Sequence, residues 1–212
     1  MGQKVNPIAL RLGIHHEFKS IGYYSKKNYA STVLQDIKLR EMLFSRLAQA
    51  GVGDVTIERS LSTMKITIFV VRPGIVIGRG GSGLEVLKKD ILYTLNLLGA
   101  DKTLKVDLKV EPIKQPNLSA YLVALNAADL LARRMPYKRV LRQSLERVMS
   151  SGAKGVRIVL AGRINGAEIG RRERAQQGKV TLSSIRENID YASVPSLTKS
   201  GYIGVKVWIN RP

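Results

Sequence analysis

The sequence predicts an α+β fold in two parts, and three observations carry that reading. Segments with helical spacing and segments alternating with period two come in blocks, which places helices against mostly antiparallel sheets. The stretch EPIKQPN (111–117) holds two prolines between such blocks and reads as a domain boundary. The 212-residue length accommodates two domains of roughly 100 residues each.

Taken in order, residues 1–31 read as a polar, basic lead-in. Residues 32–49 read as a helix, with Thr32 and Gln35 as a capping box and Val33, Ile37, Phe44, Leu47 and Ala48 as its apolar stripe. Gly51 and Gly53 end it. DVTIER (54–59) and MKITIFVV (64–71) alternate as two antiparallel strands. Pro73-Gly74 then breaks the chain, with a short helical turn over 73–77. Residues 82–98 form a helix whose stripe is Leu84, Leu87, Ile91, Leu95 and Leu98, with Gly99 as C-cap. TLKVDLKV (103–110) closes this block, 32–111, as a strand. The second block, 117–212, opens with helices over about 118–134 and 136–151, Pro136 suiting the first turn of the latter. Strands follow at 154–161, 167–175, 178–184, 188–194 and 201–209. Asn165-Gly166 signals a type I′ hairpin between the first two.

Composition narrows the partner. Thirty-five Lys and Arg oppose 16 Asp and Glu, a net +19, which favours a polyanion and nucleic acid above an acidic membrane. Residues 133–179 carry 13 basic and three acidic side chains, whereas 41–132 carry 11 and nine. With no cysteine, thiol catalysis, disulfides and cysteine-ligated metals are excluded. His15 and His16 stand without a second ligand pair and read as a solvated or RNA-facing tail, so no metal or cofactor is expected. No stretch approaches a membrane span, the N-terminus lacks the apolar core of a signal peptide, and Asn6 occupies the Ser/Thr position of a myristoylation site. A cytoplasmic chain, or one made within an organelle, is expected. No carboxylate cluster or nucleophile–base pair suggests an enzyme.

The most informative residues are Pro73 to Gly83, PGIVIGRGGSG. Gly78, Gly80 and Gly83 satisfy GxGxxG, but a dinucleotide site needs a strand running straight into the loop, and Pro73-Gly74 interrupts it. A P-loop needs Gly-Lys-Ser/Thr, which is absent. Gly78-Arg79-Gly80-Gly81 fits the GXXG loop of a KH module, where glycines admit an RNA backbone and the following helix N-terminus faces phosphate. The order helix–strand–strand–GXXG–helix–strand is that of a type II KH domain. A glycine-rich turn without a ligand is the competing reading.

Beyond the module, MGQKVNPIALRLG, RPGIVIGRGG, GAKGVRIVLAGRINGAEI and GYIGVKVWI resemble the bacterial form of the KH-containing small-subunit ribosomal protein family conventionally numbered three, from the first residue to the last. The resemblance implies a structural protein of the subunit head that binds small-subunit ribosomal RNA and touches neighbouring head proteins. It further implies that the protein lines the tunnel where messenger RNA enters and assists its unwinding. The family has a basic helix there with a pattern close to Arg-Arg-x-x-Lys. Lys138, Arg139 and Arg142 align with it, with Lys and Arg exchanged and Glu146 on the same flank; an ordinary solvated helix face is the alternative. Lys4, Arg11, Arg133, Arg134, Arg163, Arg171, Arg172 and Arg174 are further candidate RNA contacts. The chain stops at Arg211-Pro212, where family members often carry a further tail. From bare chemistry the runner-up is a free regulatory or chaperone RNA-binding protein using the same loop.

Overall fold

A computed structural model describes residues 4–60, 62–99 and 104–212. The chain divides into two compact units. One is Phe18–Lys114; the other joins Gln115–Pro212 with the N-terminal segment ending at Glu17. The lead-in read as one segment, 1–31, is therefore shared between the units.

In the first unit the order is β1 (Ser20–Ile21), α2 (Tyr29–Arg46), β2 (Val52–Arg59), β3 (Thr63–Val70), α3 (Pro73–Ile77), α4 (Ser82–Leu97) and β4 (Lys105–Pro112), with the short α1 (Pro7–Leu10) belonging to the other unit. The sheet runs β1-β2-β3-β4; β2 and β3 form the expected antiparallel hairpin, while β1 and β4 add in parallel at the edges. Parallel pairing of β3 with β4 requires a crossover, and α3, the glycine loop and α4 supply it. The start of the predicted strand at Thr103 lies outside the described residues.

Leu39 and Leu43 of α2 and its C-cap Leu47 pack with Leu87, Ile91 and Leu95 of α4 and with Ile57, Ile66 and Ile68 of the sheet in one core. Burying each such side chain contributes about 1.5–3 kcal/mol. The stripe predicted for α2 is corrected here: Ile37 is exposed, and the inward face turns through the polar pair Gln35 and Asp36. Asp36 Oδ1 accepts from Arg59 Nε at 2.8 Å, and Gln35 Oε1 accepts from Arg59 Nη1 at 3.1 Å. Burial pushes the Asp36 carboxyl above its ordinary range despite that guanidinium. The capping box is not formed, because Gln35 donates instead to the Leu98 carbonyl and Thr32 to that of Asn28.

The second unit places α5 (Ala120–Ala132) and α6 (Tyr137–Ser150) on a four-stranded antiparallel sheet ordered β6-β5-β8-β7, from β5 (Gly155–Gly162), β6 (Arg171–Gly178), β7 (Ile189–Thr198) and β8 (Gly201–Asn210). Val156, Ile158 and Leu160 of β5 and Val205, Val207 and Ile209 of β8 alternate into the core under the helices. Pro136 is the N-cap of α6, one position before its first turn.

Two strand expectations change. Of residues 178–184 only Gly178 lies in a strand, as the end of β6, and the segment before β7 is pinned by side chains: Asn210 Nδ2 donates to the Lys179 carbonyl at 3.1 Å and to Glu187 Oε2 at 3.0 Å. Asn165 and Gly166 do adopt positive φ, 57° and 76°, but within a longer connection, because the β5–β6 register closes at Gly162 and Arg171.

Candidate nucleic-acid interface

The glycine loop is built by backbone conformation. Gly78, Gly80 and Gly81 have φ of 70°, 59° and 82°, a region that strains any residue with a Cβ. At Gly80 and Gly81 an added Cβ would meet nothing within 4 Å, so the strain is conformational and the space before them is open. The base of the loop is the reverse: a Cβ on Gly83 would lie 2.5 Å from the Val76 carbonyl oxygen, and one on Gly78 would lie 3.0 Å from the Gly83 nitrogen. Gly83 thus serves the close contact of α3 with α4, while Gly80 and Gly81 present the loop. Ser82 Oγ donates to the Arg79 carbonyl at 2.9 Å, and Arg79 itself is exposed. The 16-residue α4 starts here, leaving first-turn N–H groups without intrahelical partners beside the loop. Exposed Ile75, Ile77 and Val86 flank it, and a shallow cleft of about 300 Å³ lined by Arg46, Ile75, Ser82 and Val86 opens alongside. These apolar neighbours were missed in the sequence because they read as ordinary helix positions.

On α6, Tyr137, Val140, Leu141, Ser144 and Val148 are buried, which turns Lys138, Arg139 and Arg142 outward. Arg142 Nε donates to Glu146 Oε1 at 2.8 Å, a pair that raises the Arg142 pKa and blunts its charge. A groove of about 340 Å³ between α6 and β6 is lined by Lys138, Arg142, Glu146, Glu173 and Arg174, so the structure brings two of the three helix cations to the β6 edge.

Comparison with known proteins decides the family. The model for the KH domain matches residues 38–118, and that for ribosomal protein S3, C-terminal domain, matches residues 127–209. Small ribosomal subunit protein uS3 of Alcanivorax borkumensis is 43% identical over 211 residues, covering 100% of this chain and 89% of the relative. The uS3 proteins of Natranaerobius thermophilus (42%, 100% of this chain and 89% of the relative) and Desulforudis audaxviator (43%, 100% and 94%) are similar over the same span. The chain belongs to the uS3 family.

Membership in the uS3 family makes this a structural, non-enzymatic component of the small ribosomal subunit, with RNA binding and translation as its context. Among the remaining candidates, the structure gathers Arg134, with φ 61°, and Arg163 with the unpredicted Lys199 around a cleft of about 450 Å³. Arg163 Nε is already donating to the Ala167 carbonyl at 2.9 Å. Arg171 sits over the Tyr137 ring, 5.5 Å from its centroid, and ion-pairs with Glu173. Lys4, Arg133, Arg172 and Arg174 are exposed.

Arg11 is a correction. It is 0% exposed: Nε donates to the Glu187 carbonyl at 2.7 Å, Nη1 to Pro7 at 3.0 Å, and Nη2 to Ser184 at 2.6 Å and Leu182 at 3.1 Å. It anchors the N-terminal segment and is not available to RNA. His16 belongs to the same anchor, its Nε2 3.1 Å from the Ile189 carbonyl, rather than to a free tail. Among the described residues no group of His, Asp and Glu could hold a metal, and no helix is long and apolar enough to cross a membrane.

Proposed function

We propose that this chain binds small-subunit ribosomal RNA in the subunit head and, through α6, lines the tunnel by which messenger RNA enters. The observation that carries the reading is the outward set Lys138, Arg139 and Arg142 on a helix whose opposite face is locked in the core. Three cations on a rigid element hold the backbone of a single strand without reading its bases. Holding the separated strand disfavours re-annealing, so ribosomal translocation opens a hairpin with no ATP chemistry from this protein. The KH loop at Gly78–Gly81, with Arg79 exposed beside a helix N-terminus, supplies a further phosphate-facing surface.

The test replaces Lys138, Arg139 and Arg142 with Ala, a strong helix former, in ribosomes. The expected result is near-normal translation of an unstructured message and slowing on a downstream hairpin. Equal slowing on both messages, or on neither, refutes the assignment.

A further inference from the structure

The sheet of the second unit has a face that its helices do not cover. Inward residues alternate with a second set along each strand, and the register aligns that set into rows. One row is Gln176, Arg157, Trp208 and Tyr191; the next is Arg174, Val159, Lys206 and Ser193; the next is Arg172, Ala161, Gly204 and Pro195.

Two features of this face belong together. Trp208 and Tyr191 are half-buried neighbours with ring centroids 5.2 Å apart and a 35° tilt, a paired aromatic platform on adjacent strands. Around them stand four cations, Arg157, Arg172, Arg174 and Lys206, and these three rows of strand residues contain no carboxylate. Arg157 Nε and Arg174 Nη2 both donate to the same neutral acceptor, Gln176 Oε1, at 2.9 and 2.8 Å. Two guanidiniums are thus held together by an amide rather than by a counter-charge. Burial, and then the charge of Arg174, lower the Arg157 pKa. Glu187, at the covered end of the face, is already taken by Asn210 and lies 4.0 Å from Lys179. In the third row Ala161 and Gly204 add little bulk beside the cations.

We propose that this outer face is a second RNA platform: an unpaired stretch of RNA stacks a base on the Trp208–Tyr191 pair and sets its phosphates against Arg157, Arg174, Arg172 and Lys206. The inference rests on the RNA-binding reading above and deepens it. An acidic polypeptide would satisfy the cations but would meet the aromatic pair only where an aromatic residue falls among its carboxylates, whereas in RNA every base brings a planar face beside a phosphate.

Trp208 is the single tryptophan of the chain, so its emission reports this face alone. The full-length protein is titrated with an oligoadenylate of about 12 nucleotides, following Trp208 emission and, in parallel, the anisotropy of the end-labelled oligonucleotide. Quenching that saturates with binding is expected. Replacing Arg157, Arg174 and Lys206 with Gln should weaken the quenching-detected affinity by at least about tenfold and lower its log–log salt slope by about 2. Lys at the two arginine positions should restore most of both. Anisotropy that rises while Trp208 emission stays unmoved overturns the platform and leaves RNA binding elsewhere intact. No change in either signal overturns both readings. Quenching by polyglutamate at equal charge concentration, as strong as by RNA, overturns RNA in favour of an acidic protein partner.

Discussion

Arg11→Met removes the donors of a buried guanidinium while keeping much of its stem. The side chain makes four hydrogen bonds to carbonyls, from 2.6 to 3.1 Å, three of them to the segment 182–187. Hydrogen bonds to a charged group contribute about 1.5–3 kcal/mol each when the partners are not re-solvated. Desolvation of the guanidinium, which lowers its pKa, is regained in the variant, and the half-buried carbonyls of 182–187 can take up water. The net loss should be about 3–5 kcal/mol, on the order of 1 kcal/mol for each acceptor left without its donor. Arg11→Lys should recover less than half of it, since one ammonium cannot reach acceptors spread around a planar fork. Denaturant unfolding followed by Trp208 emission measures this in the unit that holds both residues. A loss below about 1 kcal/mol, or unchanged stability with an RNA-binding salt slope reduced by about 0.7, would refute the anchor and return Arg11 to the list of phosphate contacts.

Three further outcomes follow from the other unit and from the charge. Gly83→Ala places a methyl 2.5 Å from the Val76 carbonyl oxygen, so α3 must shift from α4, at a cost of about 2 kcal/mol or more by circular dichroism melting; wild-type stability would contradict the close contact. Arg59→Met leaves the buried Asp36 carboxylate without the guanidinium that held its pKa down, so that pKa rises further. A folded-state pKa above the unfolded one gives stability that is lost as pH rises through it; the variant should therefore be weakest at neutral and alkaline pH and recover on mild acidification. A pH-independent loss would contradict this, and Asp36→Leu with Arg59→Met should be near neutral. Finally, the +19 chain should bind single-stranded RNA with a log–log salt slope near −4 if roughly six phosphates are neutralised, and Arg79→Asp with Gly80→Asp should weaken that binding without unfolding the protein. Affinity that barely changes with salt would contradict the first expectation, and undiminished binding the second.

What could be read from the sequence was what local physics dictates. Pro73, Gly78, Gly80, Gly81 and Gly99 act through their own φ, so the short helix and the loop fell where expected, while the C-cap of α4 is Leu98, one residue before Gly99. Strict alternation placed β5 and β8 for the same reason. The inward face of α2 was not legible, because Gln35 and Asp36 take interior positions only when Arg59, 23 and more residues away, arrives to pair with them. β1 has two residues and too little pattern to show. The segment 178–184 carries strand-like residues, yet side-chain anchors to Asn210 and Arg11 hold it as a loop. Arg11 was read as a phosphate contact because exposure of an arginine is the default, and three of its four acceptors lie more than 170 residues downstream. At the glycine loop and α6, residue type and spacing were legible, including Glu146 on the flank of Arg142 with which it pairs; the grouping of Arg134 with Arg163 and Lys199, and the aromatic row on the open sheet face, depend on side-chain geometry.

The distance between Arg11 and its partners has a consequence for the order of folding during synthesis. Glu187 lies 176 residues after Arg11, and at about 5–20 residues per second it leaves the synthesising ribosome roughly 10–35 s later. Through that interval the first residues have no docking site, while Phe18–Lys114 already carries its whole core within one continuous stretch. The inner unit can therefore close first, and the outer one is completed only when the last strands arrive and recapture the start of the chain. A nascent chain halted before residue 180 would expose a native inner unit and an N-terminal segment open to protease, a vectorial sequence written into one buried guanidinium.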